Sequence, residues 1–156
     1  MVAHAETAYS AWLQYGGALL TRLELDPLLR ELAILQVAHL VGSEYEWVQH
    51  DVIGRTLGAT GEQIDAIKAD RDDDPAFDAD QSLVLQATRT TVVDGAATEE
   101  QVAALAERLG PRQVVELLLV IGNYTAIAML IASTGLEPDQ PLDPEQLIEA
   151  RDSTQK

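Results

Sequence analysis

Glu46 and His50, in the run S-E-Y-E-W-V-Q-H of residues 43–50, are a carboxyl and an imidazole spaced i and i+4. On a helix that spacing stacks them on one side, and Ser43 and Trp47 fall on the same stripe. A histidine takes or gives a proton near neutral pH, and a carboxylate one turn away can hold its tautomer and stabilise the imidazolium. A third group, Glu31, precedes them on an almost wholly apolar helix. Buried there, its carboxyl would be raised by desolvation and could serve as the acid or orient His50. Ser43 or Tyr45 could donate to an enolate or carboxylate oxygen, helped by the positive end of the helix. These parts suit decarboxylation or proton transfer beside a carbonyl, with His50, Glu46 and Glu31 as the catalytic candidates.

Each residue also has a plainer reading. Glu46 and His50 are spaced like an ordinary helix-surface pair, and Ser43 with Glu46 fits a capping box. Glu31 could be the buried partner of Arg30, Arg55 or a neighbouring helix. His39, on the apolar helix, reads as a satisfied core histidine. Tyr45 and Trp47 suit packing or subunit contacts as well as substrate contacts. Asn123 and Tyr124 interrupt an apolar helix, where they line the same cavity or hydrogen-bond across helices. Glu31, Glu46, His39 and His50 are metal-compatible donors, but no H-x-x-x-H spacing is present, so no metal or cofactor is expected.

The elements that must position these groups are helical. Residues 4–22 carry helical spacing interrupted by Gly16-Gly17, which predicts a helix that ends or loosens there. Asp26-Pro27 is a helix start, and an apolar helix from about residue 28 to Val41 follows. Its few polar groups share no one face, so it is expected to be buried. A break at Gly42-Ser43 leads into the helix bearing Glu46 and His50. Thr60 and Thr98 open two short helices with Gln63 and Gln101 completing capping boxes. The two match nearly residue for residue, as any two capped amphipathic helices can. Residues 69–80 hold six Asp and a Pro, which reads as a solvated acidic loop. Pro111 starts the most apolar helix, expected to be a central core helix. From Gly135 the chain is acidic and Pro-containing, with a terminal helix expected over roughly 144–151. No alternating strand pattern occurs, so the fold class is all-α, about seven or eight helices in a single domain over 1–156.

With 156 residues and 47 % hydrophobic content the chain can close a real core. Its 26 acidic and 10 basic residues give a formal charge of −16. Such a surface repels phosphate backbones and anionic membranes, so neither nucleic acid nor membrane is an expected partner. No segment reads as a membrane span or a leader, and the cytoplasm is the expected location. The chain has no cysteine, which excludes disulfides, thiolate nucleophiles and thiol redox cycling.

The stretch from Glu31 to His50 resembles the carboxymuconolactone decarboxylase and alkylhydroperoxidase D superfamily. In its peroxidase branch a glutamate precedes a Cys-x-x-C pair, and a His follows four residues after the second Cys. Here Glu31 takes the glutamate position, Ser43 and Glu46 stand where the cysteines would be, and His50 takes the histidine position. The decarboxylase branch has an E-L-x-x-H type segment, to which Glu46–His50, E-W-V-Q-H, is similar. The resemblance covers roughly residues 25–135 and implies an alkylhydroperoxidase D-like helical fold, a small lactone or cyclic keto acid as substrate, and a homo-oligomer. Without cysteines the disulfide relay of the peroxidase branch cannot run, so the resemblance points to acid–base chemistry. The competing expectation is a non-catalytic oligomeric member that keeps these residues as structure or binds a small ligand. An open cavity reached by Glu31, Glu46 and His50 would favour the enzyme.

Overall fold

The computed structural model describes residues 4–135, and among them it contains seven α-helices and no strand. The expected terminal helix over 144–151 lies outside the described residues. Helix α1 (Glu6–Thr21) runs straight through Gly16 and Gly17, contrary to the expected interruption. Nothing lies within 4 Å of where their Cβ atoms would be, so neither glycine marks a bend or a close approach. Helix α2 (Pro27–Val41) begins as the sequence predicts, with Asp26 Oδ1 accepting from the backbone N–H of Leu28 at 2.9 Å and Leu29 at 3.1 Å. It ends at Gly42, whose left-handed φ of 67° turns the chain at once into α3 (Glu44–Thr56).

Helix α2 is the axis of the molecule, packing against α3, against α5 (Ala79–Asp94) and against α7 (Pro111–Thr134). Being surrounded is what its lack of a polar face requires. On one side Ala33, Ile34 and Val37 meet Val84, Leu117 and Ile121. On the other, Leu32 and Leu35 meet Ile64 and Ile67 of α4 (Gly61–Lys68), with Phe77 and Leu85. Each fully buried Leu or Ile contributes roughly 1.5–3 kcal/mol, so α2 anchors the core from both sides. Helix α6 (Glu99–Leu109) covers the far side of α7. Gly54 lets α3 lie close over α2: a Cβ there would sit 3.8 Å from that of Glu31. That close crossing sets His50, one turn earlier, above Glu31.

Two sequence expectations change here. The segment 69–78 is not merely solvated: Asp72 is buried and held by Arg89 of α5 at 2.5 and 2.9 Å and by Gln36 of α2 at 2.9 Å. A buried carboxylate needs such partners, and only tertiary structure brings them. Helix α7 does have the length and apolarity to cross a membrane, with 24 residues and a mean hydropathy of 2.1 over its most apolar window. Of that window 44 % is buried in the fold, on the face that carries Leu117, Ile121 and Tyr124. The other face leaves Val115 and Met129 57 % and 60 % exposed.

Candidate functional site

Glu31 leaves no oxygen free. Its Oε1 accepts from Arg30 Nε at 2.9 Å and lies 2.9 Å from Arg30 Nη2 in an ion pair, and its Oε2 pairs with His50 Nδ1 at 2.6 Å. Arg30 is itself anchored, since Nη1 donates to the carbonyl of Leu20 at 2.7 Å. Burial alone would raise the Glu31 carboxyl, but His50 and Arg30 outweigh it and hold the carboxyl below its ordinary value. The expectation of a raised Glu31 is thereby corrected. It is an anion, so His50 Nδ1–H donates to it, and His50 Nε2 is the atom left to take or give a proton. The edge of the His50 ring meets the Tyr124 ring from α7, centroids 4.8 Å apart at 89°. Burial and then the Glu31 carboxylate raise the Tyr124 phenol, so it stays a hydrogen-bond donor at physiological pH.

Glu46 is the group in the opposite condition. Glu31, Glu46 and His50 are 0, 3 and 7 % exposed, yet neither Glu46 oxygen has a hydrogen-bond partner. Burial pushes its carboxyl up to about 7; the nearby Ser43 hydroxyl and His50 act the other way. That hydroxyl falls outside hydrogen-bond geometry and is itself buried without a partner. The expected Ser43–Glu46 capping box is therefore absent. Of the roles read from the sequence, the structure keeps Glu31 as the group that orients His50, in place of Glu46, and gives the raised proton affinity to Glu46 and not to Glu31. Leaving a buried polar group unpaired costs about 1–3 kcal/mol, so its retention asks for a reason.

Asn123 and Tyr124 are both buried in α7, and Tyr124 is joined to the site through His50. Tyr45 is half-buried, and no hydrogen bond or ring contact among the described residues ties it to the other candidates. Trp47 is half-buried and packs against the core cluster of Leu32, Leu35, Ile64 and Ile67. It meets the His39 ring edge-on at 6.2 Å, and Lys68 Nζ lies 5.1 Å from its ring centroid. His39 is satisfied, as expected, but at the rim and not in the core: its Nε2 lies 3.1 Å from Asp70 Oδ1. A shallow cavity of about 320 Å³ is lined by Ala38, His39, Ser43, Glu44, Trp47 and Lys68. None of Glu31, Glu46 and His50 reaches it, so the expected open cavity shared by all three is not met there. Ser43 alone both lines this cavity and neighbours Glu46. Of the partners that the sequence offers Glu31, the structure selects Arg30 and adds His50, whereas sequence reasoning gave no signal for Lys68. Among the described residues no three His, Asp or Glu side chains converge as a metal ion would require.

The arrangement can hold one carboxylate charged, use it to set an imidazole tautomer, and keep a second carboxyl near its titration midpoint at neutral pH. Comparison with known proteins agrees with the fold. A protein of unknown function from Agrobacterium tumefaciens, described as a candidate AhpD antioxidant defence protein, superposes with a TM-score of 0.78. It is 14 % identical, with 88 % of this chain and 95 % of that one covered. An uncharacterised peroxidase-related protein from Silicibacter sp. gives a TM-score of 0.73 at 19 % identity, covering 84 % and 70 %. At such identities the likeness is one of fold. No curated protein matches the sequence. The profile of the carboxymuconolactone decarboxylase family, however, matches residues 6–90, which include Glu31, Ser43, Glu46 and His50, and by that match over more than half its length the chain belongs to this family.

Proposed function

We propose that the chain is a cofactor-free acid–base enzyme that decarboxylates, or moves a proton beside the carbonyl of, a small lactone or cyclic keto acid. The observation that carries this reading is the buried, unpartnered Glu46 carboxyl, raised to about 7 next to the Glu31–His50 pair. A purely structural site would be expected to satisfy or discard such a group. In the decarboxylation, the bond from the ring carbon to the substrate carboxylate breaks, CO2 leaves, and the electron pair passes into the neighbouring carbonyl as an enolate. Protonated Glu46 and the Tyr124 O–H donate to the enolate oxygen. His50, held by Glu31, then delivers a proton from Nε2 to carbon, and solvent replaces it.

The test is CO2 release from a panel of cyclic β-keto acids and carboxylated lactones. We expect turnover, and a loss of roughly 10²–10⁴-fold in kcat for His50→Ala, the usual scale of a positioned general acid. A His50→Ala variant that stays folded and equally active would overturn the reading. The non-catalytic alternative predicts no turnover on any member of the panel.

We also propose that the chain works as a cytoplasmic homo-oligomer, joined through the apolar face that Leu13 and Leu20 of α1 share with Val115, Leu119, Met129 and Leu130 of α7. Light scattering on wild type and Leu119→Glu would test it; a monomeric wild type contradicts it.

A further inference from the structure

Arg30 is tied to the site at one end and to a part of the fold outside it at the other. It is buried, and its guanidinium donates to Glu31 of α2 through Nε and to the carbonyl of Leu20 through Nη1. Leu20 stands in the last turn of α1, where the backbone carbonyls carry the negative end of the helix and where α1 has no basic residue of its own. Arg30 brings that cation from α2. The chain just beyond is fixed in turn, since Leu25 is buried and its N–H donates to Glu116 Oε2 of α7 at 2.8 Å. Arg30 therefore holds Glu31 from a rigid point. The charged and titratable groups around Glu31 are Arg30 on its own helix, His50 from α3 and Tyr124 from α7, with Glu46 next along beside His50. Of these, Arg30 is the permanent cation.

A group that passes protons must be stable both with and without them. When His50 has given up its proton, Glu31 remains a carboxylate wholly inside the fold, and a buried carboxylate with no cation beside it is strongly disfavoured. Without a second cation the pair would keep that proton. We propose that Arg30 is a positioning residue of the acid–base site: anchored at the end of α1, it occupies one oxygen of Glu31, turns the other onto His50 Nδ1, and balances the carboxylate so that His50 can release its Nε2 proton. The catalytic meaning of this inference rests on the acid–base reading above. Arg30 touches no substrate, and its effect passes through Glu31. The state of Glu31 agrees: burial raises its carboxyl, and His50 and then Arg30 overcome that and lower it. Lysine would bring the charge but not the fork that spans Glu31 and the Leu20 carbonyl at once.

Carboxyl-carbon NMR of the full chain reads this at Glu31, whose signal is the one lost in Glu31→Gln. Arg30→Gln keeps an amide donor but no charge, and we expect it to raise the proton affinity of Glu31 about tenfold, a shift of about one pH unit. Arg30→Lys should bring it back to within about threefold of wild type, because the charge returns. Thr60→Ala, which weakens the fold away from the site, should leave it unchanged. A role in packing or in capping α1 alone predicts a loss of stability without this order. On the substrate panel Arg30→Gln should lower kcat about fivefold with KM within about twofold, and carry the pH limb set by the Glu31–His50 pair to higher pH. Should Arg30→Gln fail to fold, wild type still decides: the buried Arg30 Nε–H signal should shift over the same pH range as the Glu31 carboxyl carbon. A Glu31 proton affinity within twofold of wild type in Arg30→Gln, Arg30→Lys matching Arg30→Gln, or an Arg30 Nε–H signal that ignores the Glu31 titration would each overturn the proposal. The readout at Glu31 needs no turnover: an Arg30 effect without CO2 release sinks the enzymatic reading alone, and CO2 release without an Arg30 effect sinks this one alone.

Discussion

Helices α3, α4 and α6 begin with the same kind of signal, a hydroxyl residue followed three positions on by Glu or Gln. At α4, Thr60 Oγ1 accepts from Gln63 N–H at 3.2 Å and Gln63 Oε1 accepts from Thr60 N–H at 3.0 Å. Thr98 and Gln101 of α6 repeat this at 3.2 and 2.9 Å. Ser43 and Glu46 of α3 make neither bond. The cause is the chain before them. Helix α2 turns into α3 through Gly42 and Ser43, and the Ser43 N–H is already given to the carbonyl of Ala38 at 2.9 Å. The donor that Glu46 would accept from is thus taken, and the close crossing of α3 over α2 buries its carboxyl. A local rule kept at two helices and broken at the third marks the third as the place where something other than stability is being served.

The largest effect should come from the group that holds the site's charge. Glu31→Gln leaves Arg30 and His50 sharing no carboxylate, and urea unfolding should show a loss of about 3–5 kcal/mol, as for other broken buried pairs. A loss below about 1 kcal/mol would mean that the pair is decoration.

Glu46→Gln separates the two carboxyls next. The Glu46 carboxyl stands at about 7 in the fold against an ordinary 4.5. Below pH 4.5 both folded and unfolded chains hold this proton and it carries no penalty. Between 4.5 and 7 the unfolded chain releases it while the fold retains it, so wild type loses stability as pH rises, by up to about 3 kcal/mol. Glu46→Gln should lack that slope, and parallel stability–pH curves for the two proteins would contradict the assignment.

The smallest effects sharpen the comparison itself. Thr60→Ala and Thr98→Ala should each cost about 1 kcal/mol in thermal or urea unfolding. Ser43→Ala should change stability by less than about 0.5 kcal/mol, because it removes a hydroxyl that bonds to nothing. If Ser43→Ala costs as much as the threonine variants, the site is capped after all.

Much of this architecture was readable in local sequence. Asp26-Pro27, Thr60, Thr98 and Pro111 announce helix starts because caps and proline act within one turn, and the fold shows each of them. Asp78 with Gln81 forms a further box that the acidic run around it concealed. Gly16-Gly17 read as a break because glycine weakens a helix, but about 1 kcal/mol per residue does not end one otherwise well formed. The site was legible as a set of residues and not as a set of roles. Periodicity puts Glu46 and His50 on one face, but which carboxyl bonds His50 depends on how α3 crosses α2, and no spacing along either helix contains that. The sign of the Glu31 shift was misread for the same reason, since its partners outweigh its burial. Tyr124 was noticed only because a polar group interrupts an apolar helix, and its place on the His50 ring comes from the packing of α7.

The central claim is that Glu46 is a buried acid half-protonated near neutrality, and carboxyl-carbon NMR through a pH titration tests it directly. One glutamate signal should titrate near pH 7 in wild type and be missing in Glu46→Gln, while the rest titrate in the ordinary carboxylate range or below it. If no signal lost in Glu46→Gln titrates above about pH 5.5 in wild type, Glu46 is an ordinary carboxylate, and the acid–base site proposed here loses its acid.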